Sequence, residues 1–217
     1  GAGRGTALGT GRLDGRPVVA AGSHETVAIW DPATGALVGE HPTAHREMVS
    51  GLAFVPGTPY LVSTGWDRTI RFWQLTEDAL VLRSTASAPA PVTCVTVTEG
   101  YGAPLALTGD STGGIRVWDA VTGLASVVRM PGHRGAPRRI VTGRYAGQPA
   151  VFSLGFDHTL RVWHRPTGRP LALLDLPDGA TDLAWASPGL LAVAVDRDVV
   201  LLGDGGYGRY GGYGGYG

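Results

Sequence analysis

The pentapeptide TVAIW at residues 26–30 returns along the chain as TIRFW at 69–73, GIRVW at 114–118 and TLRVW at 159–163. The closing tryptophans are 43, 45 and 45 residues apart, and a further 39 residues lead to Leu202 at the end of DVVLL. Self-similarity at a fixed period of about 20–50 residues is the sequence signature of a repeat architecture. We therefore expect one structural unit that recurs along the chain.

The unit reads as four short strands. In the second copy these are VSGLAF, YLVSTG, TIRFWQ and ALVLRS, separated by turns rich in Gly, Pro and Asp. The residues alternate with period two and favour Val, Ile, Thr and aromatic types, which is typical of strands. A small residue precedes each closing position by ten: Ala20, Ser63, Thr108, Ser153 and Ala192. The sequence predicts an all-β chain with almost no helix.

These motifs resemble the WD-repeat β-propeller family, which has about 40–45 residues per blade and a Gly-His…Trp-Asp signature. The chain carries Trp30-Asp31, Trp118-Asp119 and Gly132-His133. In style the repeats are similar to bacterial-type WD-repeat propellers. The resemblance implies about five blades of four antiparallel strands, from units at about residues 4–43, 44–87, 88–132, 133–177 and 178–202.

The last unit contains only three recognisable strands, so we expect the last blade to be incomplete. Residues 203–217, GDGGYGRYGGYGGYG, form a Gly/Tyr-rich tail that is costly to order, and we expect it to be disordered. Two arrangements stay open: a five-bladed ring with a defective last blade, or part of a larger ring. An unpaired edge along DVVLLG predicts self-association, unless the tail supplies an irregular outer strand.

Composition excludes several classes of function. The 18 basic residues are all Arg and balance 18 acidic residues, so zero net charge argues against a general attraction to nucleic acid or anionic membrane. No apolar run approaches the length of a membrane helix. The chain has no Lys for a Schiff base or a phosphate loop, and Cys94 is its single cysteine. We expect a cytoplasmic protein without a cofactor.

Two sets of residues mimic nucleophilic triads, but a catalytic Ser would need an exposed hydroxyl beside an oxyanion hole. The resemblance implies instead that His, Ser and Asp form a buried hydrogen-bonded chain ending on the strand Trp. Two copies at matching repeat positions also favour a structural role. We therefore expect no catalytic residues and two structural tetrads: His45, Ser63, Asp67 and Trp73, and His133, Ser153, Asp157 and Trp163.

Other polar groups give weaker signals. His41 and His45 are four residues apart but not on a helix face, and Asp196, Asp198 and Asp204 do not fit a calcium loop, so no metal site is expected. Positive charge is concentrated in the fourth unit. Either its arginines alternate between two opposite faces of the sheet, or they form a binding site for an acidic protein, a phosphate or RNA. Its arginines are Arg129, Arg134, Arg138, Arg139, Arg144, Arg161, Arg165 and Arg169.

The turn aromatics Trp66 and Phe156 are the strongest candidates for binding a partner. They directly precede Asp67 and Asp157, in turns that the family places near the central channel, although they could simply cover neighbouring turns. Loop residues of the same face are further candidates: Arg46, Met48 and Arg134. We expect a non-catalytic scaffold for a protein or peptide. The alternatives are a hydrolase-type propeller with a central-channel site, or a basic fourth blade that binds an anionic partner or RNA.

Overall fold

The computed structural model describes residues 7–77, 79–100, 102–177, 180–186, 189–203 and 206–208. Within these ranges the chain forms twenty β-strands and no helix, so no described segment is a helix that could cross a membrane. The strands form five four-stranded sheets. The all-β fold of four-stranded blades predicted from the sequence is therefore confirmed.

The five blades follow one another along the chain. The first contains β1 (Ala7–Leu13), β2 (Arg16–Ser23), β3 (Thr26–Trp30) and β4 (Leu37–His41). The second contains β5 (Val49–Phe54), β6 (Tyr60–Gly65), β7 (Thr69–Leu75) and β8 (Leu80–Ser87). The third contains β9 (Val92–Thr98), β10 (Leu105–Asp110), β11 (Ile115–Asp119) and β12 (Ala125–Met130). The fourth contains β13 (Pro137–Tyr145), β14 (Gln148–Gly155), β15 (Thr159–His164) and β16 (Pro170–Asp175). The fifth contains β17 (Ala180–Ala186), β18 (Leu190–Val195), β19 (Asp198–Gly203) and β20 (Gly206–Gly208).

Each blade is an antiparallel meander in which every strand pairs with its sequence neighbours. The first strands of successive blades contact one another, β1 with β5, β5 with β9, β9 with β13 and β13 with β17. These inner strands therefore line the centre of the assembly. All first strands start at the same end of the blades, and the connections at that end form what we call the top face. It includes loops 42–48 and 131–136 and turns 65–68 and 155–158.

Hydrophobic clusters lie between the blades. Strands bury alternate side chains on their two faces, so each blade contributes to the junction before it and to the junction after it. Trp73 of the second blade packs in one cluster with Ile29 of the first, and Trp118 of the third packs with Phe72 of the second. Two further clusters join the third blade to the fourth and the fourth to the fifth. Four cores therefore hold five blades in series.

The two ends of the series have open faces. Trp30 of the first blade is half-buried and belongs to none of the four clusters of described residues. On the same face Leu8 is 73% exposed. On the far face of the fifth blade, Val199 is 51% exposed. Within the described residues no hydrophobic cluster joins the fifth blade to the first, so the five blades form an open series.

Strand register corrects one detail of the repeat alignment. Trp73 pairs with Leu61, two residues before the small Ser63, whereas Trp30 pairs with Val19 and Leu202 pairs with Leu191. The residues at the register position of Ser63 in the first and last blades are therefore Ala21 and Val193, one residue after the Ala20 and Ala192 that the sequence spacing indicates. The cause is a shorter hairpin, since both blades join their second and third strands by a two-residue turn.

The fifth blade differs from the expectation of three strands. The backbone of Gly206–Gly208 pairs with Leu201–Gly203, so the tail supplies a fourth strand of three residues. This outer strand is shorter than those of the other four blades, which have five to eight residues. Gly residues can pair through their backbone although they lack side chains to pack, which explains a short, irregular edge. The expectation of disorder falls otherwise on residues outside the described ranges.

Candidate functional site

The second blade assembles its His, Ser, Asp and Trp into one hydrogen-bonded chain. Trp73 Nε1 donates to Ser63 Oγ at 2.8 Å, and Ser63 Oγ lies 2.7 Å from His45 Nε2. His45 Nδ1 lies 3.0 Å from Asp67 Oδ1. Loop 42–48 and turn 65–68 bring His45 and Asp67 together because both connections lie on the top face. The chain therefore runs from the top face into the core of the blade.

The fourth blade repeats this geometry. Trp163 Nε1 donates to Ser153 Oγ at 3.0 Å, and Ser153 Oγ lies 2.8 Å from His133 Nε2. His133 Nδ1 lies 2.8 Å from Asp157 Oδ1. Asp157 Oδ2 also accepts from the backbone N–H of Arg134 at 2.9 Å, as Asp67 Oδ2 does from the backbone of residue 46. Each carboxylate thus fixes the loop that follows its histidine.

A neutral imidazole satisfies every hydrogen-bonding group in both chains. If Trp N–H donates to Ser and Ser O–H donates to Nε2, then His must donate from Nδ1 to the carboxylate, and every group is satisfied. Burial lowers the pKa of His45, and the carboxylate of Asp67 only partly opposes this effect. The pKa of His133 is lowered for the same reason, with Asp157 opposing. Both imidazoles are therefore neutral at pH 7.

The aspartates stay ionised. Burial alone would raise the pKa of Asp67, but hydrogen bonds from the Arg46 backbone, Thr69 and His45 together hold it below its ordinary value. The same balance lowers the pKa of Asp157. The ionised carboxylate and the neutral, hydrogen-bonded imidazole have the same arrangement as a catalytic Asp-His pair. This likeness is one of geometry and does not extend to access by a substrate. Ser63 and Ser153 are fully buried, so no substrate can reach either hydroxyl.

The third blade gives its strand Trp a hydrogen-bond partner without using a His. Trp118 Nε1 donates to Thr108 Oγ1 at 2.9 Å, but no His follows. Asp110 occupies the register position of Gly65, where a Cβ atom would lie 2.5 Å from the His45 ring. The side chain of Asp110 therefore extends into the space of the missing imidazole, where its Oδ1 accepts from the N–H groups of Thr112 and Gly114. Its Oδ2 accepts no hydrogen bond from the described residues and lies 3.7 Å from Arg116 Nε. The sequence signal is Asp in place of Gly two residues after Thr108.

Five top-face residues were predicted to bind a partner, and the structure places them in two groups. In the second blade, the Trp66 N–H donates to the Met48 carbonyl at 3.0 Å, while the Arg46 side chain is exposed. In the fourth blade, Arg134 is exposed on loop 131–136 and Phe156 lies on turn 155–158. Trp66 is 48% exposed and Phe156 is 55% exposed. The third blade, which has Ser111 at this turn position, separates the two groups.

Arg138 was missed as a partner of Phe156. Its Cζ atom lies 3.9 Å from the centre of the Phe156 ring. The two residues are eighteen apart in sequence, so only the pairing of β13 with β14 brings the cation over the ring. The neighbouring Arg139 forms an ion pair with Asp182 on β17, with Nε 3.1 Å from Oδ1. The inner strands therefore carry two arginines at the top of the fourth blade.

Groups of three or more His, Cys, Asp or Glu that could hold a metal ion do not occur in the described part of the chain. His41 packs instead against Trp73, with ring centroids 4.9 Å apart. Asp196 lies in the two-residue turn between β18 and β19, Asp198 begins β19, and Asp204 lies outside the described residues. The single cysteine, Cys94, is buried, and burial raises its thiol pKa to about 11.

Residues 37–74 match the family model "WD domain, G-beta repeat". The match begins at the outer strand of the first blade and ends in the third strand of the second, so it spans the whole His45 tetrad. This segment is therefore similar to one WD repeat. Because the match begins one strand before the second blade, it links the first blade to the second.

The chain is similar in sequence to several larger proteins. It is 28% identical over 191 residues to the transcriptional corepressor LEUNIG_HOMOLOG of Arabidopsis thaliana, and 26% identical over 235 aligned positions to Protein HIR1 of Gibberella zeae. Each alignment covers 87% of this chain but only 23% or 22% of the relative. WD repeat-containing protein 36 of Homo sapiens is 35% identical over 86 residues, 38% of this chain and 10% of that protein.

The chain therefore spans less than a quarter of the length of these relatives. All three come from eukaryotes, so they give no support to the expected bacterial type. Their names describe a corepressor and a WD-repeat protein and mention no enzyme.

Proposed function

We propose that this WD-repeat chain is a non-catalytic interaction module whose top face binds a segment of a partner protein. The observation that carries the proposal is the exposure of Trp66 and Phe156 on turns that buried hydrogen bonds hold in place. A large aromatic ring in water is costly, and rigid exposed aromatics are typical centres of protein interfaces.

The turns bearing these rings are fixed from both sides. The Trp66 N–H donates to the Met48 carbonyl, and the Phe156 N–H donates to the Ala136 carbonyl, both at 3.0 Å. The following aspartates anchor the turns from below through His45 and His133. A partner therefore meets side chains whose backbone is already ordered, which lowers the entropy cost of binding.

The hydrolase alternative has little support. It requires several ionisable groups that converge in the central channel, with at least one acid or base free to act. The charged side chains on the described inner strands are four arginines and one acidic residue, and that residue, Asp182, already pairs with Arg139. Neither tetrad serine is accessible. An interaction module needs none of these groups and uses the exposed rings directly.

Affinity capture from a lysate of the source organism tests the proposal. The bait proteins are the unaltered chain, Trp66→Ser, Phe156→Ser and the control Leu124→Ser. Leu124 is 71% exposed and lies between β11 and β12, at the end opposite the top face, so its replacement removes a similar apolar group elsewhere.

We expect the unaltered chain and Leu124→Ser to retain the same partners, and both top-face variants to lose most of them. Circular dichroism verifies that all four chains are folded. Equal capture by all four baits, or a loss with Leu124→Ser alone, would show that the top face is not the binding surface.

A further inference from the structure

A cavity of about 390 Å³ lies at the top of the central channel. The starts of four inner strands form its wall, with Leu8 on β1, Gly51 on β5 and Thr93 on β9 among the lining residues. The fourth wall is β13, which contributes Arg138 and Arg139, and these are the charged residues among those that line the cavity. We call this cavity the channel mouth. Its electrostatic character is cationic although the whole chain has zero net charge.

Arg138 is held in position without being neutralised. The guanidinium stacks 3.9 Å above the centre of the Phe156 ring, and it forms no hydrogen bond or ion pair within the described ranges. Stacking restricts the side chain while the N–H edge of the guanidinium remains available. A planar, pre-positioned fork of N–H donors matches the two oxygens of a carboxylate.

Arg139 adds a second charge beside the first. Its ion pair with Asp182 involves side chains that are 54% and 57% exposed. Exposed ion pairs contribute little because water screens both charges. An incoming carboxylate can therefore share or replace Asp182 without breaking a buried interaction.

Three other arginines of the fourth unit do not extend this surface, whereas Arg134 is exposed on loop 131–136 of the same top face. Arg144 and Arg165 lie at the end of the blade opposite the top face, where they donate to the carbonyls of Gly147 and Glu99. Arg161 is partly neutralised by Asp157, with Nη2 3.4 Å from Oδ2. The positive charge of the sequence is thus divided between the two ends, and a small cationic spot remains at the channel mouth.

We infer that the channel mouth binds an acidic peptide segment, whose Asp or Glu carboxylates pair with Arg138 and Arg139. This inference rests on the proposed function and specifies the chemistry of the partner. Phe156 acts as a positioning residue that orients Arg138. A small cationic spot suits one or two carboxylates of a peptide, whereas a nucleic acid backbone would need phosphate contacts along an extended surface.

Fluorescence anisotropy with a short fluorescein-labelled peptide of alternating Glu and Gly tests the inference. A Gln-Gly peptide of equal length measures the contribution of charge. The variants are Arg138→Gln, Arg139→Gln and Phe156→Leu, and the control is Arg169→Gln, which removes the same charge from the opposite end of the same blade. Thermal melting verifies that each variant is folded.

We expect the Glu-Gly peptide to bind the unaltered chain and Arg169→Gln equally, and to bind Arg138→Gln about tenfold more weakly. Phe156→Leu should weaken binding severalfold without changing the net charge, which separates positioning from simple electrostatics. Affinity should fall as salt rises, since exposed charges are screened.

Three results would overturn the inference: no binding at low salt, equal binding of the Gln-Gly peptide, or an Arg138→Gln affinity equal to that of Arg169→Gln. If a single-stranded RNA probe binds more tightly than the peptide, and if Arg138→Gln weakens that binding, the surface is an RNA-binding surface instead. Partner capture that depends on Trp66 but not on Arg138 would overturn this inference and leave the proposed function intact.

Discussion

Replacing Ser63 with Ala removes one buried oxygen that serves two neighbours. Ser63 Oγ accepts from Trp73 Nε1 at 2.8 Å and lies 2.7 Å from His45 Nε2, and the residue is completely buried. Both neighbours then lose their partner in a site that water does not reach. A buried polar group left unpaired costs about 1–3 kcal/mol, so the substitution should destabilise the fold by about 2–6 kcal/mol.

The third blade supplies a matched comparison. Thr108 Oγ1 accepts from Trp118 Nε1 at 2.9 Å, and that hydroxyl has no His neighbour. Thr108→Val therefore leaves one buried polar group without a partner instead of two, and it keeps the side-chain shape. The free energy of unfolding should fall by about 1–3 kcal/mol. The expected order of stability is unaltered chain, then Thr108→Val, then Ser63→Ala.

Urea denaturation followed by tryptophan fluorescence and far-UV circular dichroism measures both changes. A Ser63→Ala, Trp73→Phe double variant isolates the coupling, because it removes the stranded indole N–H together with its acceptor. The reasoning is refuted if Ser63→Ala lies within about 0.5 kcal/mol of the unaltered chain, or if it costs less than Thr108→Val.

Three further outcomes are expected. Stability should fall as pH drops below 6.5, the ordinary pKa of histidine, because the folded state lowers the pKa of His45 and His133 and the unfolded chain therefore takes up protons first. Urea midpoints measured at several pH values test this expectation, and a midpoint that stays constant from pH 7 to 5 would contradict it. Gly65→Ala should destabilise by about 2 kcal/mol or more, because its Cβ would lie 2.5 Å from the His45 ring, and an unchanged melting temperature would show that the loop yields freely. Cys94 should react with iodoacetamide only after unfolding, since burial raises its thiol pKa to about 11, and rapid labelling under native conditions at pH 8 would disprove its burial.

The blades could be predicted because their signal is periodic and local. Alternation within a strand and a Trp every 43 to 45 residues depend only on sequence distance. The one-residue offsets at Ala20 and Ala192 arise where that distance changes, because the two terminal blades have shorter hairpins between their second and third strands. A tight turn changes the spacing between paired residues without changing the apolar pattern of either strand.

The tetrads could be located from the sequence, but the substitute in the third blade could not. Asp110 lies where the second and fourth blades have Gly65 and Gly155, and its side chain extends into the space that the His occupies in those blades. The change from Gly to Asp two residues after Thr108 is visible in the sequence, but the space that its side chain enters involves residues on different connections and is visible only in the fold. The stacking of Arg138 on Phe156 has the same origin, since strand pairing creates it.

The junctions between blades have a direction. At each one, the face that bears the third-strand Trp, or Leu202 in the last blade, meets the opposite face of the preceding blade. All four junctions thus use the same two complementary surfaces in the same order. A duplication that adds one whole repeat, or a deletion that removes one, preserves that order and creates no new kind of interface. Blade number can therefore change in evolution without redesign of the core, while the top face is free to diversify blade by blade.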